Sequence, residues 1–253
     1  MYISSLSNET VKKVSKLKKK IVYGNEFEVV LEGERLVSDA VRYGAHISCL
    51  LVREDYKGAL PEAEVCHTLK DTVFDKLADT VTPQGIIALA TVKKNSINTK
   101  KESDCIIILD NIRDPGNMGT IIRTAHSVGA SGVLITKGCT NPYSLKALRS
   151  AMASTFAVDI QIAEDISEIY NLKKAGYSLC CGVLGKDSSR LYNTNLAGKH
   201  AFITGNEGSG VSEEIISLCD KKIIIPMPGG AESLNAAVAT AVMVYEHLRQ
   251  NRF

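Results

Sequence analysis

The sequence predicts an α/β protein in two domains, the second built on a parallel sheet covered on both faces. Three observations carry that prediction. Strand-like segments alternate with amphipathic helical segments along nearly the whole chain, as in a sheet whose strands are joined by helices. The run Cys-Ile-Ile-Ile-Leu at 105–109 is apolar at every position, which suits a strand buried on both faces. Residues 93–104 read Lys-Lys-Asn-Ser-Ile-Asn-Thr-Lys-Lys-Glu-Ser-Asp, polar and aperiodic, which is linker composition. The 253 residues, 45% of them apolar, are enough for one large or two ordinary domains. The boundaries read as 1–92, a linker at 93–104, and 105–253.

The elements follow in order. Asn8 can cap a helix over 8–20, in which Val11, Val14, Leu17 and Ile21 make a narrow apolar stripe. A strand is expected at 27–31, then a helix over 34–43 with Leu36, Val37, Ala40 and Val41 inward and Gly44 ending it. Strands at 47–52 and 86–92 flank a helix at 71–78. In the second domain, strands are expected at 105–109, 133–136, 179–184, 202–204 and 223–225. Helices are expected at 119–128, 144–150, 166–175, 212–218 and 233–249.

Net charge is +2, which alone predicts no partner. Its distribution says more. Lys12, Lys13, Lys16, Lys18, Lys19 and Lys20 crowd the first helix, and Lys93, Lys94, Lys100 and Lys101 crowd the linker. Such clusters neutralise nucleic-acid phosphates or merely solvate a surface. The seven cysteines include no Cys-x-x-Cys and lie mostly in apolar runs, which suits a reducing cytoplasm. The five histidines show no metal-ligand spacing, so no metal is expected. No apolar segment follows the basic N-terminus, so no signal peptide is expected. No run approaches the ~20 residues that cross a bilayer.

Ligands of open parallel sheets bind beyond the carboxyl ends of the strands. Three strand ends here carry unusual residues: Asp110 to Gly119, Gly205 to Gly210, and Ile225 to Asn235. In the third, Pro226 and Pro228 stop a strand while Gly229 and Gly230 permit a tight turn. Exposed backbone groups gathered there can hold a polar small molecule. The glycines at 205, 208 and 210 are not spaced as in the dinucleotide fingerprint, and no phosphate-binding Gly-x-x-x-x-Gly-Lys-Ser/Thr occurs. Nicotinamide chemistry and nucleotide hydrolysis lose support. Asn117 can cap the helix expected from 119. Arg123 follows early in that helix, where it suits phosphate recognition or pairs with Asp114.

Taken together, three motifs carry a resemblance. They are Asn111-x-Arg113-Asp114-Pro115-x-Asn117-x-Gly119-x-Ile121-x-Arg123-Thr124-Ala125, then Gly205-Asn206-Glu207-Gly208-x-Gly210, then Ile225-Pro226-Met227-x-Gly229-x-x-Glu232-Ser233-Leu234-Asn235. The chain resembles the SpoU (TrmH-like) RNA ribose 2′-O-methyltransferases of the SPOUT superfamily over most of 105–253. The first hundred residues resemble, more loosely, the small ribosomal-protein-like domain with which many members bind RNA. The resemblance implies a parallel-sheet domain with a deep trefoil knot and a crevice for S-adenosylmethionine. It implies cofactor contacts at Thr204, Gly205, Ile225, Met227 and Leu234, and an active site of Arg123, Asn117, Glu207, Ser233 and Asn235. It also implies a homodimer packed through helices including the last; the ribosomal-protein-like first domain and its basic arm favour ribosomal RNA as substrate ahead of transfer RNA. Arg123 is expected to hold a phosphate and the developing alkoxide rather than act as base, because a guanidinium stays protonated. Asn117 is expected to orient Arg123 or the ribose, and Ser233 and Asn235 to position the turn and the hydroxyl. Glu207 either joins the reaction or fixes the glycine loop through backbone N–H groups. The competing reading is an RNA-binding assembly factor without turnover.

Overall fold

The computed structural model describes residues 1–253 except 22, 100–103, 184 and 186. Lys100, Lys101 and the last residue of the strand expected at 179–184 therefore lie outside the described residues. The chain divides into two compact units, 1–94 with 143–157, and 95–142 with 158–253.

The first unit holds β1 (Tyr2–Ile3), α1 (Glu9–Lys19), β2 (Glu26–Glu32), α2 (Glu34–Arg42), β3 (His46–Arg53), β4 (Val65–Leu69), α3 (Asp71–Leu77) and β5 (Ile86–Lys93). Its sheet runs β1-β4-β3-β5-β2. β1, β4 and β3 are mutually parallel, while β5 pairs antiparallel with β3 and β2. Val11 and Val14 of α1 enter a core with Val30, Leu51, Phe74 and Leu89. Strands β1 and β4 were not expected: β1 is two residues long, and β4 reads Val-Cys-His-Thr-Leu with only Leu69 buried.

The basic helix is less free than its sequence suggests. Lys18 donates to Glu32 Oε2 at 3.1 Å and to the Leu77 carbonyl, and Lys13 pairs with Glu28 at 2.6 Å. Burial pushes the Glu32 carboxyl up, but hydrogen bonds from Thr80 and Asp79 and the charge of Lys18 outweigh it and hold it below the usual range.

The second unit holds β6 (Cys105–Leu109), α4 (Pro115–Ser127), β7 (Gly132–Ile135), β8 (Ile160–Ile162), α6 (Ser167–Lys174), β9 (Ser178–Gly182), β10 (Ser189–Arg190), β11 (His200–Thr204), α7 (Glu213–Ile216), β12 (Lys221–Ile224) and α8 (Ala236–Arg252). Between them in sequence, α5 (Leu145–Ala151) belongs to the first unit, where Tyr143 packs edge-on against Phe27 at 5.1 Å. The sheet order is β10-β12-β9-β11-β6-β7-β8, and every pairing is parallel. Alternate residues of the central strands meet helices on opposite faces. Ile106, Ile108, Leu179 and Ile203 pack with Ile169 and Leu172 of α6 and Ile215 of α7. On the other face Phe202 meets His247 of α8 at 5.3 Å.

Part of the expected linker is core. Ile97 is 8% exposed within that same cluster, and its N–H donates to Gln161 at 2.8 Å. A single isoleucine among polar neighbours has no periodicity to reveal it. Strands β8 and β10, three and two residues long, are likewise too short to carry a period and are not expected from sequence.

Candidate active site

Because the sheet is parallel throughout, the segments after β6, β11 and β12 emerge along one edge. After β6, Asn111 takes a left-handed φ of 58°, a conformation asparagine tolerates better than most residues. Helix α4 then starts at Pro115, four residues earlier than expected, and its cap is Asp114, whose side chain accepts the Asn117 N–H at 2.8 Å. The expectation that Asn117 caps the helix is thus corrected. Proline suits the first helical turn because its missing N–H has no partner there anyway. The change frees the Asn117 side chain for another use.

After β11 the chain closes a tight loop in which Asn206 and Gly210 exchange two backbone hydrogen bonds of 2.9 Å. Gly205 cannot carry a side chain: a Cβ there would lie 2.1 Å from the Val211 nitrogen and 2.2 Å from the Gly210 carbonyl carbon. Asn206 Oδ1 accepts from the backbone of Gly208 and Ser209, each at 3.0 Å, and its amide donates to the Asn111 carbonyl at 3.0 Å. Buried Asp110 adds a second tie, accepting from Ser212 N–H at 2.8 Å and the Thr136 hydroxyl at 3.1 Å. Asp110 and Asn206 both stand in the strand-end segments that the sequence singles out, but no role is expected for either from sequence. The available signal was an Asx residue within two positions of a strand end, where such side chains bond nearby backbone.

After β12 the chain leaves the sheet at Ile224, so Ile225 begins the turn rather than ending the strand. Helix α8 starts at Ala236, three residues later than expected, with Asn235 as cap: its Oδ1 accepts from Ala237 N–H at 2.9 Å and Val238 N–H at 3.3 Å. Ser233 therefore precedes the helix.

A line of side-chain amides joins the three segments. With its Oδ1 on the helix, Asn235 donates through Nδ2 to Asn117 Oδ1 at 2.9 Å. Asn117 donates through Nδ2 to Glu207 Oε1 at 2.8 Å. Glu207 also accepts the Arg113 and Asp114 N–H groups at 3.4 and 3.3 Å. Burial pushes its carboxyl up, but the Asn117 amide and these N–H donors win and hold it below the ordinary carboxylate value. An ionised carboxylate so engaged is a poor proton acceptor. Each end of the Asn117 amide has one protein partner, Glu207 and Asn235, and no bond joins it to Arg123 among the described residues.

A cleft of about 680 Å³ opens beside this line, within the ~300–1,000 Å³ usual for small-molecule sites. All five residues expected to hold the cofactor line it, as do Glu207, Ser233 and Asn235; Asn117 and Arg123 stand outside its lining. The hydroxyls at its back are taken, since Thr240 bonds the Ala236 carbonyl at 2.7 Å and Thr204 bonds Thr240 at 2.6 Å. Arg123 is exposed on α4, ~9 Å along the axis from Asn117, and forms no ion pair with Asp114 or any other described residue.

The profile of the SpoU rRNA methylase family matches residues 104–245. The chain belongs to that family. An MRM3-like substrate binding domain matches residues 8–88. Over 98% of both chains, the protein is 32% identical to the 23S rRNA (guanosine(2553)-2′-O)-methyltransferase RlmP of Bacillus subtilis strain 168. It is 30% identical to the 23S rRNA (guanosine-2′-O-)-methyltransferase RlmB of Haemophilus influenzae, over 70% of this chain and 75% of that one. Among solved structures, the AdoMet-bound rRNA methyltransferase of Sinorhizobium meliloti superposes with a TM-score of 0.84 at 27% identity, over 98% of this chain and 97% of its own. The parallel sheet of the second unit is that of these SpoU methyltransferases.

Proposed function

We propose that this protein transfers a methyl group from S-adenosylmethionine to a ribose 2′-hydroxyl of 23S ribosomal RNA, with a guanosine as target. The observation that carries the reading is the Asn235–Asn117–Glu207 line, which locks three strand ends around one cleft. Shape suits the donor: the cleft has room, and glycine at 205 lets the loop after β11 close tightly beside it. Thr204, Gly205, Ile225, Met227 and Leu234 would hold S-adenosylmethionine, which supplies an activated methyl on a sulfonium.

The protein's part is alignment and charge. Fixing the hydroxyl in line with the methyl contributes up to ~7–11 kcal/mol. Arg123, exposed and without a partner among the described residues, holds the phosphate beside the target ribose and stabilises negative charge growing on its oxygen. Ser233 and Asn235 set the turn against the ribose. Glu207 and Asn117 are positioning residues, since their recorded hydrogen bonds tie together the loops they fix.

The protein works as a cytoplasmic homodimer. Val238 and Tyr245 of α8 are 48% and 50% exposed, with Ala241, Val242 and Leu248 half-buried between and beyond them, and this face suits a second copy. The turn after β12 is the segment that would thread the trefoil knot. No helix among the described residues is long and apolar enough to cross a membrane.

Calorimetric titration with S-adenosylmethionine tests the core of the proposal. Binding to the folded protein in one-to-one ratio is expected; its absence refutes the methyltransferase reading.

A further inference from the structure

The edge of the sheet continues past the cleft to the ends of β6 and β7, where two loops are stitched into one platform. The Thr140 N–H donates to the Ile112 carbonyl at 2.7 Å, and the Ile112 N–H donates to Cys139 Sγ at 3.2 Å. Cys139 Sγ donates in turn to the Leu109 carbonyl at 3.4 Å, and the Thr136 hydroxyl reaches Asp110. Two cations project from this rigid base. Arg113 and Lys137 are both exposed, and neither side chain has a hydrogen bond or ion pair among the described residues.

Between them sits Gly138, exposed, with a φ of +89°. A Cβ at this position would lie 2.7 Å from Asn111 Oδ1 and 3.8 Å from Arg113 Nη2. The Arg113 guanidinium thus lies beside bare backbone. No acid among the described residues stands within ion-pair distance of either cation; the Ser167 hydrogen bonds and, more weakly, the charge of Lys137 hold the Asp165 carboxyl below its usual value. Both Asp110 oxygens have partners on the loops, Glu207 takes the amide and N–H donors already described, and Asp165 accepts the Ser167 N–H at 2.7 Å. The Arg113 backbone hangs on Glu207, so the platform is in register with the cleft.

We infer that this platform is a seat for the RNA backbone flanking the target nucleotide, with Arg113 and Lys137 each meeting a phosphate across Gly138. The inference rests on the methyltransferase reading for its substrate. Two cations without an ion pair, on a preorganised base, suit phosphates because no pair has to be broken before the RNA is met. The seat lies on the β6–β7 side of the reacting centre, while the cofactor cleft lies on the β11–β12 side. An RNA strand would therefore run along the strand ends from one to the other.

The test uses the full chain, unmodified in vitro transcribed 23S rRNA, and the variants Arg113→Ala, Lys137→Ala, their double, and Lys174→Ala on α6 as a surface-charge control. Melting temperatures and S-adenosylmethionine affinity should match the wild type throughout. The double variant should bind the RNA about tenfold or more weakly, with a log affinity–log salt slope shallower by roughly 0.7–0.9 for each phosphate that is no longer neutralised. KM for RNA should rise while kcat at saturating RNA holds, and Arg113→Lys should recover much of the affinity. RNA affinity and salt slope indistinguishable from the Lys174→Ala control would overturn the seat, and so would a parallel loss of cofactor affinity. A wild type that binds RNA but transfers no methyl would refute the methyltransferase reading alone, because the platform is read from the salt slopes.

Discussion

Arg123 and Glu207 carry opposite charges and take opposite parts. Arg123 has no partner among the described residues, so it is available to substrate, whereas Glu207 receives donors from Asn117, Arg113 and Asp114. Arg123→Ala should cut kcat by ~10²–10³, the usual cost of removing one charge-stabilising donor, while calorimetric affinity for S-adenosylmethionine stays at the wild-type value. Equal loss of both would move Arg123 away from the RNA side of the site. Gly205→Ala should do the reverse. Its Cβ meets backbone at 2.1 Å, which cannot rotate aside as a side chain would. The loop must shift, and cofactor binding should disappear while the protein still folds; retained affinity would show that the backbone at 205 does not contact the ligand. For the amide line, a double-mutant cycle of Asn117→Ala and Asn235→Ala should give a coupling of about 0.5–1.5 kcal/mol in chemical unfolding, the net worth of one hydrogen bond. Strict additivity would mean that the two amides do not act together.

At the scale of the element, α8 joins the site at one end and the core at the other. Its N-terminus is capped by Asn235, while near its C-terminus His247 Nε2 donates to the Gly198 carbonyl at 2.9 Å. His200 Nδ1 meets the same carbonyl at 3.0 Å. That carbonyl can only accept, so each ring donates there, and His200 Nε2 is left to accept from Lys221 at 3.0 Å. Burial, outweighing the pull of Gly198, lowers both histidines below their ordinary value. A lowered folded-state value means that protonation favours the unfolded chain. This stability is complete above the unfolded value of ~6.5 and is lost as pH falls below it. The melting temperature should drop between pH 7.5 and 5.5, and His247→Gln should flatten that drop; an unchanged slope would exclude the pair as its source. Most long elements were legible because their patterns were strong: the Cys105–Leu109 run, the Val11–Val14–Leu17 stripe, the apolar face of α2. The short strands β1, β8 and β10 were not, since two or three residues hold no period. The start of α4 was misread because Asn117 looked like a cap, although Asp114 before Pro115 is the stronger one. The three motifs located the cleft from sequence; that Glu207 is held by backbone N–H groups, and that Asn117 spends its amide on Asn235 and Glu207, required coordinates.

At the scale of the whole molecule, the first unit is not one stretch of sequence. Residues 143–157 fold with it although they fall between β7 and β8, and Tyr143 there is 6% exposed. Composition gave no warning of this, because α5 reads like any amphipathic helix of an α/β chain. A chain beginning at residue 95 would strip Phe27 from Tyr143 and leave this segment without its core. It should be less soluble and melt lower than the intact protein; a fully stable, soluble fragment would show that 143–157 does not depend on the first unit. Methyl transfer needs all these parts at once: a cleft for the methyl donor, an exposed arginine, and RNA brought to the strand ends. Its most direct test is to incubate the purified protein with unmodified 23S rRNA and methyl-labelled S-adenosylmethionine and to map the label. The expected result is methylation of a single ribose 2′-oxygen, lost in Arg123→Ala. Label on a base, or none on the RNA while the cofactor binds, would contradict it.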